Sequence, residues 1–277
     1  MRQTLLVVSV AIALAAGSAF HGRLSVAAPA PAPPVPLAQH LFYTATWNAL
    51  PVARGELTID DVTPADATPT DEPAVRLAGH AETMPLLDLL WRMRDSFEAT
   101  VATTPLAPRR FVLRQHENSR RRETTVVRDP QSERLLGAKQ RPGKRAAHAA
   151  ADLHAHVHDP ASVAYAIRSF PADADRAETY DVFTGTKTYR LTVRPAGVES
   201  VSALGRPWRA RRFDLSLALA PVGERPTPGV TDRIQAAQVW VSDDAERLPL
   251  RLTGRTYWGW VTVQLVARRP PRTSAPG

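Results

Sequence analysis

His154, His156 and His158 recur at every second position, with His148, Asp152 and Asp159 close by in the chain. Alternate residues of an extended backbone share a face, so three imidazoles would project together as ligands for Zn or Cu. Neighbouring ligands on one strand seldom complete a tetrahedron, and a solvated histidine-rich loop is the competing reading. No Gly-x-Ser-x-Gly elbow, Ser-x-x-Lys pair or His-Glu-x-x-His helix occurs, which removes common signatures of nucleophilic and zinc-dependent hydrolysis. Asp243 and Asp244 sit in Ser242-Asp243-Asp244-Ala245-Glu246, between two strand-like runs. Asp side chains bonding to turn amides account for that pair without catalysis. A carboxylate pair for glycoside hydrolysis is assembled by the fold and cannot be read from chain neighbours. Nothing in these patterns calls for a cofactor.

Apolar binding chemistry has better candidates. Near the C-terminus Val261, Val263 and Leu265 occupy one face of a run whose other face carries Trp258 and Trp260. One face suits a core and the other a concave wall, where indoles meet an apolar ligand or a helix; ordinary packing is the alternative. Trp47 and Trp91 are further wall candidates, and Arg122 and Arg168 are candidate partners for an anionic headgroup. Arg168, at a predicted helix end, equally suits bonding the last carbonyls.

Positioning these side chains falls to a chain dominated by period two. Leu41, Tyr43, Ala45 and Trp47 share a face, and Leu57 and Ile59 alternate with charged and hydroxyl residues, predicting a hairpin. A second hairpin joins Tyr180–Thr184 to Tyr189–Val193 through Gly185-Thr186, and further alternation covers Phe213–Leu219 and Leu248–Leu252. Two stretches read as helices. Met84–Met93 follows a Thr83 cap with Pro85 in the first turn, and is expected to plug or cap a concave side. Pro160–Arg168 follows Asp159, which can cap free amides, with Arg168 at the negative end of the dipole. Arg141–His158 reads as a long mobile loop. The expected fold is mainly β: a curved antiparallel sheet or incomplete β-barrel with two short helices.

Composition and the N-terminus narrow the setting. Arg2, the apolar run Leu5–Ala16 and the small residues ending at Ala28 read as a signal peptide over residues 1–28. An Ala/Pro linker over 29–38 follows, then a single β-rich domain over 39–268 and a disordered tail over 269–277. The apolar run is shorter than the roughly 20 residues a membrane span needs, so the expected mature chain has no transmembrane helix and is periplasmic or secreted. The 277 residues include no Cys, which excludes disulfides, thiolate ligands, a cysteine nucleophile and a lipoprotein anchor. The net charge of +8 is carried almost wholly by arginine. It fits attraction to an anionic envelope component, or mere compositional bias. Nucleic acid is not an expected partner, because Arg120-Arg121-Arg122 and Arg209, Arg211 and Arg212 lack interleaved aromatic residues.

Four motifs can be read together. They are Tyr43-Thr44-Ala45-Thr46-Trp47-Asn48 with Pro51 and Gly55; Arg94-Asp95-Ser96-Phe97; Asp159-Pro160-Ala161-Ser162-Val163-Ala164-Tyr165-Ala166-Ile167-Arg168; and Val239-Trp240-Val241-Ser242-Asp243-Asp244 with Leu248-Pro249. Across roughly Leu41 to Leu265 the chain resembles the bacterial family called domain of unknown function 3108. That resemblance implies an exported, mostly antiparallel β protein of Gram-negative bacteria, with no activity, cofactor or catalytic residue to carry over. Asp159, Ser162, Tyr165, Arg168, Asp243 and Asp244 are motif positions, and the histidine cluster lies outside the pattern. The leading functional expectation is non-catalytic binding of a lipid-like or amphipathic ligand in the cell envelope. A scaffold or assembly factor acting through protein contacts, and a polysaccharide or peptidoglycan hydrolase, are the alternatives.

Overall fold

The computed structural model describes residues 39–62, 73–153, 157–171, 175–220, 234–256 and 259–269. The expected signal peptide, the linker and residues 270–277 of the expected tail lie outside them. The strands are β1 (Gln39–Trp47), β2 (Leu50–Asp61), β3 (Ala74–Thr83), β4 (Arg94–Thr103), β5 (Leu106–Glu117), β6 (Arg120–Asp129), β7 (Arg134–Gln140) and β8 (Ala147–Asp152). After β9 (Val157–His158) and the helix α1 (Pro160–Arg168) come β10 (Glu178–Phe183), β11 (Thr188–Ala203), β12 (Arg206–Leu219), β13 (Ile234–Ser242), β14 (Pro249–Thr256) and β15 (Gly259–Arg269).

All fifteen strands form one sheet, running from β8 back through β1, across to β15, and back again to β9. Neighbours are antiparallel except β9 and β10, which pair in parallel. The sheet nearly closes into a barrel, with one seam between its edges β8 and β9. Register shifts at Phe42/Tyr43, Ala45/Thr46, Thr100/Val101 and Pro195/Val198 supply curvature, because an extra residue bends and twists its strand. At the seam the β10–β11 turn leans on β6 and β7: a Cβ on Gly137 would stand 2.0 Å from the Gly185 carbonyl oxygen. Gly185 itself has φ +86°, a conformation that side chains resist.

Alternation decides the inside. Leu41, Tyr43 and Ala45 on β1, Ile59 on β2, Phe97 on β4 and Val261, Val263 and Leu265 on β15 are buried, with less buried neighbours between them. A curled sheet of this size leaves an interior that its own side chains do not fill, and α1 enters it. Eight of the nine helical residues are buried. Val163, Ala166 and Ile167 pack into a cluster with Phe170, Phe213 and Leu191, while Ala161 and Tyr165 join Phe97, Phe111 and Leu77. Each large apolar side chain so buried contributes about 1.5–3 kcal/mol. As expected, Asp159 caps this helix: its carboxylate accepts from Ala161 N at 2.8 Å and Ser162 N at 2.7 Å, and Ser162 Oγ accepts from Asp159 N at 3.0 Å.

Two expectations are corrected. Met84–Met93 is not a helix and does not plug the barrel; only Pro85–Leu89 forms a 3-10 turn, with Leu86 81% and Leu89 87% exposed. Thr83 N donates to Met93 O at 3.2 Å, so the two ends of the segment must meet. A ten-residue α-helix would hold them about 15 Å apart. The plug is α1 instead. Likewise Arg141–His158 is not one loop, since residues 147–152 form edge strand β8. That strand is partly or fully exposed on both faces, so its sequence carries no alternation.

Candidate functional site

One helix face shapes the interior. Ala161, Ala164, Tyr165 and Arg168 fall at i, i+3, i+4 and i+7 and therefore share a side. They look into a cavity of about 110 Å³, walled opposite by Leu57, Ile59, Leu77, Phe97 and Val263. The space exists because the helix presents two alanines where larger residues would fill it. Ala164, Leu57 and Leu252 keep partial exposure, so the cavity communicates with solvent. No Asp or Glu stands among the described lining residues.

Two arginines line the cavity: Arg251, which donates to Ser202 O and Gln264 Oε1 at 3.3 Å, and the buried Arg168. Arg168 is 4% exposed. Its Nε donates to Arg247 O at 2.9 Å, and Nη2 donates to Gln39 Oε1 at 2.8 Å and Glu246 O at 3.3 Å. Nη1 is buried without a hydrogen-bond partner among the described residues. Its Cζ lies 5.8 Å from the Tyr165 ring centroid, within cation–π range. Desolvation lowers the guanidinium to about 10, partly offset by Tyr43 and Tyr165, so it is a cation at neutral pH. With no carboxylate partner among the described residues, this buried cation is costly, and its neutral partners satisfy only part of it.

The partners of Arg168 come from distant motifs. Ser242 Oγ donates to Asp244 Oδ1 at 2.7 Å and accepts from Leu248 N at 2.8 Å, while Asp244 Oδ1 also accepts from Glu246 N at 3.0 Å. These bonds fix the Ser242–Leu248 turn so that its Glu246 and Arg247 carbonyls meet Arg168. Asp243 faces outward and pairs with Arg209 at 2.8 Å and Arg211 at 3.2 Å, which hold its carboxyl below the usual range. Tyr43 Oη donates to Pro249 O at 3.0 Å, and Gln39 Nε2 to Glu246 O at 3.2 Å. Three of the four resemblance motifs thus converge around one guanidinium at the barrel base. Phe97 of the fourth lines the cavity.

The other candidates scatter. Trp47 and Trp91 pack in the main core, Trp260 is 47% exposed, and none of the three lines the cavity. Trp258, His154 and His156 lie outside the described residues. His158 is buried, with Nδ1 3.2 Å from Ser162 Oγ and its ring edge-on to Tyr180. Among the described residues no group of three His, Cys, Asp or Glu is arranged for a metal ion. His158, Asp159 and Ser162 combine the residue types of a hydrolytic triad, yet all are buried, outside the cavity lining, and Asp159 is directed at helix amides rather than at the imidazole. Burial pushes the Asp159 carboxyl up to about 6. Arg122 donates to Gln115 Oε1 at 3.2 Å and lies away from the cavity. The alanine face of α1 escaped sequence reading because small residues announce only space; their spacing with Tyr165 and Arg168 was the available signal.

Among curated proteins none matches this chain. In fold it is similar to a beta-barrel-like protein of domain of unknown function DUF1849 from Brucella abortus, with a TM-score of 0.51 at 9% identity over 86% of this chain and all of that one (100%). A Bacteroides fragilis protein with a YmcC-like fold aligns over 87% of this chain and 100% of its own at 7% identity, with a TM-score of 0.33. Only the first value supports a shared fold, and such identities carry nothing about activity. Among the described residues no helix is long and apolar enough to cross a membrane. The family described as Protein of unknown function (DUF3108) matches residues 43–266, from Tyr43 beneath Pro249, through α1 and Arg168, to the last strand, and the chain belongs to it.

Proposed function

We propose that this protein binds, without turnover, a single-chain amphipathic anion in the cell envelope. The apolar part occupies the cavity beside Ala161 and Ala164, and the anionic group meets Nη1 of Arg168. The observation that carries this reading is a buried cation, with one donor unspent among the described residues, on the wall of a mostly apolar cavity that the more exposed Arg251 also lines. A carboxylate or phosphate oxygen would complete the guanidinium with a charge-assisted hydrogen bond, the stronger kind. Cavity size favours the first few carbons of one narrow chain, the rest of the tail leaving past the half-exposed Ala164, Leu57 and Leu252: an apolar cavity of about 150 Å³ admits benzene, and a two-chain lipid needs far more. The hydrolase alternative lacks support here, because no carboxylate lines the described cavity.

Displacement of a fluorescent fatty acid by dodecanoate tests the proposal, with dodecanol as the uncharged control. Wild-type protein is expected to take dodecanoate at least tenfold more tightly than dodecanol. Ala164→Phe, which fills the cavity from a half-exposed position, should weaken both at least tenfold. Wild-type protein that ignores dodecanoate, or an Ala164→Phe variant that binds as well as wild type, would overturn the reading.

A further inference from the structure

Of the nine large hydrophobic residues exposed among the described residues, five occupy one rim. Leu50 lies at the β1–β2 tip, Leu86, Leu89 and Leu90 on the β3–β4 connection, and Trp260 at the start of β15. In the sheet order β3, β2, β1 and β15 are successive neighbours, so these connections adjoin. Backbone bonds fasten them together. Asn48 N donates to Trp260 O at 2.9 Å, Trp260 N to Asn48 Oδ1 at 2.9 Å, and Met84 N to Val52 O at 3.0 Å. The leucines therefore stand on a rigid support, and their exposure is not that of a loose loop.

Basic residues flank the apolar tips. Arg92 N donates to Asn118 Oδ1 at 2.8 Å and Asn118 N to Arg92 O at 2.7 Å, which ties the β5–β6 turn, with Arg120 and Arg121, to the same rim. Arg255 pairs across the strands with Trp260. All four arginines are exposed and form no ion pair among the described residues. The nearby acids are already engaged or sequestered: Asp88 meets Arg94 at 2.5 Å, Glu82 meets Arg54 and Arg94, and Glu117 is buried.

We infer that this rim docks the barrel on an anionic lipid bilayer, with Leu86, Leu89 and Leu90 inserted among the headgroups and Arg92, Arg120, Arg121 and Arg255 pairing with lipid charge. Protruding leucines beside a tryptophan, ringed by unpaired cations, match the apolar boundary and negative surface of such a bilayer. A protein partner would more typically meet a flatter surface with its polar rim satisfied. The inference is independent of the cavity and its ligand.

Co-sedimentation of the exported chain, its leader removal checked by intact mass, tests the docking. Vesicles contain phosphatidylcholine with 30 mol% phosphatidylglycerol, or phosphatidylcholine alone. Wild-type protein is expected to partition onto anionic vesicles at least tenfold more strongly, and less at high salt. Leu86→Ser with Leu89→Ser should cut that partition at least tenfold; Arg92→Gln with Arg121→Gln should remove the preference for anionic vesicles. Because all four side chains are exposed, folding is preserved and is checked by circular dichroism. Equal partition of wild type and the leucine variant, or none by wild type, would overturn the inference. So would concentration-dependent dimers, lost in the leucine variant, from a protein that ignores vesicles.

Discussion

At the base of the barrel, Gln39, Arg168 and the Ser242–Leu248 turn interlock through buried polar bonds, whereas at the opposite rim Leu50, Leu86, Leu89 and Leu90 meet water. Arg168 alone bonds to two distant segments, Gln39 at 129 residues and Glu246 and Arg247 at 78 and 79 residues away in the chain. Rim connections are local turns, fastened to adjoining strands by a few backbone bonds. A buried polar knot tolerates no missing partner, because each orphaned group is left desolvated. An exposed leucine owes the fold almost nothing. The contrast assigns the residues: those at the base fix architecture and one charge, while those at the rim are free to serve contact with something else.

The largest effect is expected at the base. Arg168→Ala should destabilise the protein by about 3 kcal/mol in urea unfolding, since it orphans Gln39 Oε1 and the Arg247 carbonyl and removes one of two donors to the Glu246 carbonyl. A loss below about 1 kcal/mol would erase the distinction between the two ends.

Next comes the cap of α1, which aims Arg168. With its carboxyl raised to about 6, Asp159 holds its proton more tightly in the folded protein than in the unfolded chain, where an ordinary carboxyl titrates near 3.8. Its contribution to stability is therefore present below pH 4, falls as pH rises from about 4 to 6, and is flat above; the shift corresponds to about 3 kcal/mol. Asp159→Asn keeps a capping oxygen and removes the titration. The stability of the Asn variant relative to wild type should thus rise across that window, and parallel pH profiles for the two proteins would contradict the assignment.

The smallest effect belongs to the rim. Leu89→Ser should leave the free energy of urea unfolding within about 0.5 kcal/mol of wild type. A larger loss would mean that the rim leucines support the fold and would weaken the contrast from the other side.

Much of this architecture was legible where burial is one-sided. β1, β2, β10, β11, β14 and β15 show apolar alternation, and Asp159 with Pro160 marks the start of α1. Strands β3 to β6 were harder to read because their inner face is not uniformly greasy. Gly79 lies inward so that Phe97 can cross it: a Cβ there would meet Phe97 Cε1 at 2.1 Å. Asp95, Gln115, Glu117 and Thr124 are buried as well. Helical spacing at Met84–Met93 misled because bonding of Thr83 to Met93 is a tertiary constraint, invisible in local periodicity. For the site, Arg168 was nameable as a cation at a helix end, but that its neighbours are carbonyls and alanines depends on contacts across the whole chain. The tryptophans attract notice by size, and size says nothing about where an indole points.

The seam has a mechanical consequence. Among the described residues no ladder joins β8 to β9; the ring is held shut by Gly137 against the Gly185 turn and by the packed helix. Separating those edges breaks packing contacts and no β8–β9 ladder among the described residues. The girth of this barrel is therefore set by side-chain packing at one place and by hydrogen-bonded ladders at every other described strand boundary.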